Sequence, residues 1–203
     1  GSYCRDFTLD RLQHRRGVGH VFSKDYQTWD ETLLVLDRYL KATGRPQGIE
    51  DLTPRQLNFD PGYSSQFWVK NCVGIGLSAG FIEPLEASAL VLVELSATAL
   101  VNQMPLNRDD MTVIARRFNR EFEGRWAQII DFLKLHYVLS QRDDSPYWVD
   151  NRASSSTPET LQENLLVWAN RAPWHHDDMR RDEMFPAASY QYVLYGMGFQ
   201  SRL

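Results

Sequence analysis

Two glutamates flank a proline and a leucine at residues 83–86, at the start of the most apolar stretch of the chain. Proline favours the first turn of a helix, where backbone N–H groups have no partner within the helix. A helix starting at Pro84 would place Glu86 among these donors. Alternatively, the chain turns once more and Ser88 caps the helix. Either start predicts a positive helix end that attracts a small anion.

A first-turn carboxylate also has a simpler explanation, because an acid near a helix N-terminus stabilises the helix without any further role. The spacing of residues 83–86 therefore does not by itself make Glu86 catalytic. A catalytic role needs support from elsewhere in the sequence or from the fold.

A glycine cluster precedes this segment and fits the dinucleotide-binding template Gly-x-Gly-x-x-Ala at Gly74, Gly76 and Ala79. Glu94 follows 20 residues after the first glycine, as the template's acid should. The template requires a helix that begins within the glycines and an acid at the end of a strand. Residues 81–84 interrupt that helix, and Glu94 lies inside the apolar stretch. The glycines are therefore expected to allow close approach of backbones or of a flat ligand.

The histidines do not predict a metal site. His175 and His176 precede two aspartates, but adjacent residues point apart and no third ligand has a zinc or iron spacing. No Gly-x-Ser-x-Gly nucleophile motif with the required strand and helix context is present. The remaining histidines have apolar neighbours and are expected to be structural: His14, His20 and His136.

Strands are predicted only in the first part of the chain. Residues 17–23 alternate in polarity and predict a short strand, after which Asp30 is expected to cap a helix that Gly44 ends. Residues 56–60 and 66–75 are predicted to be two strands joined by a Pro-Gly turn.

Helices are predicted for most of the remaining sequence. The apolar stretch extends to about Asn102, and a long helix capped by Asp109 or Asp110 is expected to run to about Leu139. Ser156, with an acid three residues later, predicts the start of another helix. A last apolar segment covers residues 190–197. The fold class predicted is therefore α+β, mainly helical.

Composition excludes several classes of protein. Lysine plus arginine total 22 against 26 for aspartate plus glutamate, a net charge of −4 without a basic patch, so no nucleic acid partner is expected. Two cysteines, Cys4 and Cys72, indicate a reducing, cytoplasmic location. Residues 85–101 carry Glu86 and Glu94, and they are predicted to form a buried helix rather than a membrane span.

Residues 71–88, NCVGIGLSAGFIEPLEAS, closely resemble a segment of the flavin-dependent tryptophan halogenases. Further similar segments lie at 12–15 (LQHR), 17–23 (GVGHVFS), 59–62 (FDPG), 67–69 (FWV), 135–137 (LHY), 142–148 (RDDSPYW) and 192–198 (YVLYGMG). The resemblance covers nearly all of the chain but only the C-terminal part of the family's longer enzyme. It implies the substrate-side portion of a flavin monooxygenase-like halogenase fold, in which residues 1–82 complete the flavin-side sheet and 83–203 form a helical substrate-binding region.

The resemblance also implies an activity. In the family, a flavin reductase supplies reduced FAD, which with dioxygen converts chloride or bromide to hypohalous acid. The oxidant then halogenates an electron-rich aromatic, such as an indole or a tryptophan-like compound, in a second chamber. No membrane partner is implied.

Site residues follow from the same resemblance, residue by residue. Glu86 corresponds to the catalytic glutamate at the substrate end of the tunnel. The backbone amides of Ser88 and Ala89 correspond to those that hold the halide. Three residues would face the flavin: Leu77, Ser78 and Leu90. Phe185 falls near the aromatic residue that contacts substrate.

The sequence departs from the family in its first residues. The glycine-rich FAD motif and the catalytic lysine are absent, and none of the four lysines lies in that lysine's motif: Lys24, Lys41, Lys70 and Lys134. Residues 6–11 replace a Trp-x-Trp-x-Ile-Pro segment, and Gly1-Ser2 is typical of a cleaved tag. We therefore expect a fragment that is inactive by itself. Alternatives are a non-catalytic ligand-binding or homodimerising remnant of the family, or a related flavin monooxygenase.

Overall fold

A computed structural model describes residues 4–11, 16–43, 53–175, 177 and 184–202 of the 203-residue chain. In chain order its strands and helices are β1 (Cys4–Arg11), β2 (Arg16–Phe22), α1 (Trp29–Ala42), β3 (Gly62–Tyr63), β4 (Trp68–Val69), β5 (Cys72–Val73), β6 (Gly80–Phe81), α2 (Ser88–Asn102), α3 (Arg108–Val138), α4 (Pro146–Arg152), α5 (Glu159–Trp168) and α6 (Ala187–Gly196). Short 3-10 turns lie at Gly76–Ser78, Leu85–Ala87 and Ser154–Ser156. The prediction of a mainly helical α+β chain is confirmed.

The chain divides into two compact units. One comprises the described residues within 1–57 and 140–156, and it contains the antiparallel hairpin of β1 and β2 together with α1 and α4. The other comprises those within 58–139 and 157–203. The predicted division after residue 82 separates a strand-bearing region from a helical one, and it stays a prediction.

Helix α3 organises the second unit. Its first half buries aromatic side chains against β4 and α2, and its second half buries Phe132 and Leu135 against α5 and α6. Trp68 of β4 meets Phe118 edge to face, with ring centroids 5.6 Å apart. Burial of this many large apolar side chains is the main source of stability for the unit. The helix was predicted to within one residue at its C-terminal end.

The prediction of two strands at residues 56–60 and 66–75 is wrong in detail. Residues 56–60 have no regular structure, and the hairpin lies inside the second segment, where β4 pairs with β5. Its two-residue turn contains Lys70 in a left-handed conformation (φ 55°). Strand β3 pairs instead with the distant β6, where a Cβ atom on Gly80 would lie 2.6 Å from the Cβ of Tyr63.

Three helix starts also differ from prediction. Thr28, not Asp30, caps α1, because Thr28 and Glu31 satisfy each other's backbone N–H groups in a capping box. Asn107 caps α3, and its side chain accepts from the N–H groups of both aspartates that follow in the first turn. Helix α5 begins at Glu159, after Pro158 at the cap position.

Other sequence predictions had mixed outcomes. The predicted strand over residues 17–23 is β2, whereas its partner β1 and the short helix α4 were not predicted. Helix α6 covers most of the predicted apolar segment, and Gly198 follows it with a φ of 86°. Residues 12–15, which carry one similar segment and His14, lie outside the described residues.

Helix α2 is less buried than predicted. It packs against α3 through Leu92 and Ala99, but Leu90 and Val101 on its other side are 80% and 72% exposed. Among the described residues, the segment Leu85–Asn102 has the length and hydropathy of a membrane span, with 22% of that window buried. Its two glutamates disfavour a hydrocarbon environment. The prediction of a buried helix therefore holds for one side of α2 only, the side of Leu92 and Ala99.

Candidate active site

The turn before α2 has an unusual backbone. Glu86 (φ 63°, ψ 6°) and Ala87 (φ 50°, ψ 32°) are both left-handed, within a 3-10 turn in which the N–H of Ala87 donates to Pro84 O at 3.0 Å. This conformation costs a non-glycine residue about 1–2 kcal/mol. Ala87 is the N-cap of α2, so neither predicted helix start is correct. Strain of this kind is often found at functional sites.

The carboxylate of Glu86 meets a histidine from α3. Its Oε1 lies 3.0 Å from Nε2 of His136, whose Nδ1 lies 2.9 Å from the backbone oxygen of Phe132. The Glu86 side chain is 39% exposed and the His136 side chain 18%. Glu86 is therefore held at one oxygen but remains accessible, which is a suitable state for a residue that contacts a ligand.

The other glutamate of the turn binds the next residue along α3. The hydroxyl of Tyr137 donates to Oε1 of Glu83 at 3.0 Å. Burial raises the pKa of Glu83 to about 7, although the Tyr137 hydrogen bond and the nearby Lys134 ammonium act to lower it. His136 and Tyr137 together thus fix both ends of residues 83–86 on α3.

An apolar cavity of about 260 Å³ lies in the same compact unit as the turn. Leu77, Ala89 and Leu90 line it, together with aromatic side chains that include Phe81 and Trp126. Leu77 and Leu90 are 78% and 80% exposed, so they form an open apolar wall. These two residues, predicted to face a flavin, therefore lie on one cavity.

Ser78, the third residue predicted to face the flavin, has a structural role in this chain. Its hydroxyl donates to the backbone oxygen of Ile75 and accepts from the N–H of Ile75, both at 2.9 Å. This pair of bonds closes the 3-10 turn that presents Leu77. Ser78 is not among the cavity-lining residues.

The amides predicted to hold a halide are those of the first two residues of α2. Ser88 is right-handed (φ −67°, ψ −15°) and follows the left-handed Ala87. A left-handed residue next to a right-handed one points successive N–H groups toward a common concave site that favours anions. Ser88 is buried, whereas Ala89 borders the apolar cavity.

Phe185, the residue predicted to contact substrate, belongs to an aromatic group beside His136. Its ring stacks on Phe132 with centroids 4.0 Å apart. Phe132 in turn meets the ring of His136 edge to face at 5.2 Å. The structure therefore connects Phe185 to Glu86 through two intervening rings, although the two residues are 99 positions apart in the sequence.

Sequence reasoning missed the second half of this site. His136 was expected to be structural, and neither Tyr137 nor Glu83 was given a role. The only signal was the similarity of residues 135–137 to the family, because the pairing with the turn spans about 50 residues of sequence. His20, also expected to be structural, has its pKa lowered by burial.

The structure also describes the glycine cluster and part of the histidine–aspartate run, the two other segments considered from the sequence. The glycines lead into a 3-10 turn and then β6, so no helix starts among them, and Glu94 lies inside α2. No group of three His, Cys, Asp or Glu side chains in the described ranges could hold a metal ion. Of the histidine–aspartate run, His176 and Asp178 lie outside those ranges.

Known proteins with a similar sequence are tryptophan halogenases. The sequence matches the tryptophan halogenase family over residues 11–202. It is 30% identical over 184 residues to tryptophan 6-halogenase SttH from Streptomyces toxytricini, which is 91% of this chain and 34% of the relative. It is 38% identical over 137 residues to tryptophan 7-halogenase KtzQ from Kutzneria sp. (strain 744), which is 68% of this chain and 25% of that protein.

Solved structures give the same result. The crystal structure of a tryptophan halogenase from Shewanella frigidimarina superposes with a TM-score of 0.93 at 44% identity, over 100% of this chain and 38% of that one. BrvH, a flavin-dependent halogenase from Brevundimonas sp. BAL3, superposes at 0.83 with 35% identity, over 96% of this chain and 38% of that one. The fold is thus that of part of a flavin-dependent halogenase.

The chain belongs to the tryptophan halogenase family. It spans about a quarter to two fifths of the length of the curated relatives and solved structures that it matches. The resemblance identified from residues 71–88 is confirmed.

Proposed function

We propose that this chain forms the halide-binding and substrate-binding part of a flavin-dependent halogenase. The complete enzyme would use reduced FAD, dioxygen and chloride or bromide to halogenate an electron-rich aromatic such as an indole or a tryptophan-like compound. The observation that carries the proposal is the turn at Glu86 and Ala87, which places an accessible carboxylate directly before α2, three residues before Ala89 of the cavity lining.

The residues present fit a flavin. Leu77 and Leu90 form an exposed apolar wall, which suits one face of a flat aromatic ring system. Ser78 keeps Leu77 in place through its two bonds to Ile75. When bound, reduced FAD would supply the electrons that activate dioxygen, and a flavin reductase would renew it.

The chain's own residues would hold the ions and the substrate. The amides of Ser88 and Ala89 would bind the halide at the positive end of α2. Glu86 would hold and orient the halogenating species through hydrogen bonds at the substrate side. Phe185, stacked on Phe132, would pack against the aromatic substrate.

The test is a halogenation assay on the complete protein that contains this chain. With a flavin reductase, FAD and bromide, we expect a bromine mass shift on at least one compound of a panel of indoles and phenols. Glu86→Gln should lower the rate by at least about 100-fold, the loss typical of a removed transition-state contact. Glu163→Gln, an exposed carboxylate on α5, should leave it unchanged.

Two outcomes would overturn the proposal. The first is no mass shift over the panel although FAD is shown to be bound. The second is a hydroxylated product whose rate is independent of halide, which would identify a flavin monooxygenase instead.

The isolated chain is proposed to be inactive and cytoplasmic. It lacks the glycine-rich FAD motif and the family lysine, so we expect FAD titrated into the 203-residue chain to bind weakly. Tight binding would contradict this part of the proposal.

A non-catalytic role is the second candidate, and one observation favours it. Leu90 and Val101 on α2 and Leu106 after it are 80%, 72% and 94% exposed. Exposed apolar patches of this kind are often interaction sites, so a homodimer would cover them. Light scattering of the complete protein, at the concentrations of the halogenation assay, tests this candidate. The molar mass of a single chain, together with halogenation that depends on Glu86, would reject it.

A further inference from the structure

The ring of His136 is held between two oxygen atoms. Its Nδ1 lies 2.9 Å from the backbone oxygen of Phe132, and its Nε2 lies 3.0 Å from Oε1 of Glu86. Each ring nitrogen is thus within hydrogen-bonding distance of one oxygen, and Nε2 is the atom presented to Glu86.

The two contacts fix the direction of the imidazole ring. The Nδ1 contact lies within α3, because Phe132 is four residues before His136, and the Nε2 contact reaches the turn before α2. The His136 side chain is 18% exposed, whereas the Glu86 side chain is 39% exposed. The more buried residue of the pair therefore holds the more accessible one.

This contact occupies only one carboxylate oxygen. Within the described part of the chain, Oε1 of Glu86 has the hydrogen bond to His136, and none is made by Oε2. The backbone of Glu86 is strained at φ 63°, so a partner that holds its side chain also helps to hold the turn. One oxygen is thus fixed to α3 while the other is available to a ligand.

We propose that His136 is the positioning residue for Glu86: its Nε2 holds Oε1 and leaves Oε2 for the halogenating species. The reaction named here rests on the proposed function, whereas the contact itself does not. Tyr137 makes the corresponding contact with Glu83 through its hydroxyl.

The first test is nitrogen NMR of the histidine rings in the 15N-labelled 203-residue chain at neutral pH. We expect the Nε2 signal of His136 to shift in Glu86→Gln, because a neutral amide replaces the carboxylate that Nε2 contacts. Glu83→Gln, the matched change on the same turn, should leave the His136 signals unchanged.

The contact between His136 and Glu86 is refuted if Glu86→Gln leaves the Nε2 signal at its wild-type position, or if both glutamine variants give the same His136 spectrum. This result does not depend on any activity. It therefore separates a failure of the positioning proposal from a failure of the proposed function.

The second test uses two isosteric variants in the complete enzyme with reductase, FAD and halide. His136→Gln places an amide nitrogen near Nε2 and keeps the contact with Glu86, whereas His136→Asn places one near Nδ1 and keeps only the contact with Phe132. We expect kcat to fall about 10- to 100-fold for the asparagine variant and only about threefold for the glutamine variant, with KM for the aromatic unchanged.

A higher kcat for the glutamine variant than for the asparagine variant is not expected if His136 has only a structural role. Equal kcat values for the two variants would overturn the positioning role. If the wild-type enzyme makes no halogenated product, the proposed function is overturned instead. The NMR result then still tests the contact between His136 and Glu86.

Discussion

At the scale of single residues, two features of residues 83–87 lower the stability of the folded chain: a strained backbone and a buried carboxyl group. Ala87 tolerates a left-handed backbone that alanine does not favour, and Glu83 keeps a carboxyl group in a largely buried position. Neither choice is the most stable for the chain. Each can be tested by a substitution that removes the conflict.

Ala87→Gly should stabilise the chain. Glycine adopts a positive φ without steric cost and is also preferred to alanine at an N-cap, so the free energy of unfolding should rise by about 0.5–1 kcal/mol. The control is Ala97→Gly, inside α2, which should lower it by about 1 kcal/mol. Urea denaturation of both variants measures the difference. A change of the same sign in both would show that strain at Ala87 does not matter.

Glu83 should make stability depend on pH. Its folded pKa of about 7 exceeds the ordinary value of 4.5, so the folded state binds this proton more tightly than the unfolded state does. The stabilisation is complete below about pH 4.5 and is lost as the pH rises through about 7, by at most about 3 kcal/mol.

Glu83→Gln removes this dependence because an amide is neutral and its oxygen can still accept from Tyr137. At pH 8 the variant should exceed the wild type by about 1–3 kcal/mol, and at pH 4.5 the two should be nearly equal. Thermal unfolding across this range gives the comparison. A difference that stays constant with pH would refute the pKa of Glu83 as its cause.

At the scale of elements, one side chain joins α3 to the β4 hairpin. Asn119 accepts from the N–H groups of Phe67 and Trp68, at 2.9 and 2.7 Å, and donates to the backbone oxygen of Trp68 at 2.9 Å. These are backbone groups that a two-residue strand cannot satisfy by pairing with β5 alone. Asn119 thus fixes the hairpin that carries Trp68 into the core.

Asn119→Ala should therefore destabilise the chain by about 2–4 kcal/mol, because it leaves partly buried backbone groups without partners. Asn119→Asp keeps the acceptor and loses only the donor, so its loss should be smaller. Chemical denaturation distinguishes the two. Equal losses would indicate that packing around residue 119, rather than these hydrogen bonds, stabilises the hairpin.

At the scale of the whole molecule, the chain matches only part of the length of its relatives. It covers 38% of the length of the Shewanella frigidimarina halogenase. Within the described part, Glu86, the start of α2 and Phe185 lie in one compact unit. The side of α2 that carries the exposed Leu90 and Val101 is apolar and suited to a further packing partner.

The sequence by itself determined the family and most of the helices. Residues 71–88 identified the family, and the apolar spacing along α3 predicted its end to within one residue, because both signals are local. The sequence pattern predicted the wrong capping residue where two neighbouring residues could both cap a helix. Asp30 and Thr28 could each cap α1, and only the reciprocal bonds with Glu31 decided between them.

The tertiary structure decided the environment of Glu86. Its contact with His136 joins residues 50 positions apart, and it depends on how α3 packs beside the turn. The pairing of β3 with β6 and the stacking of Phe185 on Phe132 are likewise long-range. No periodicity along the sequence encodes such contacts, because they arise from the packing of whole elements rather than from the preference of any one segment.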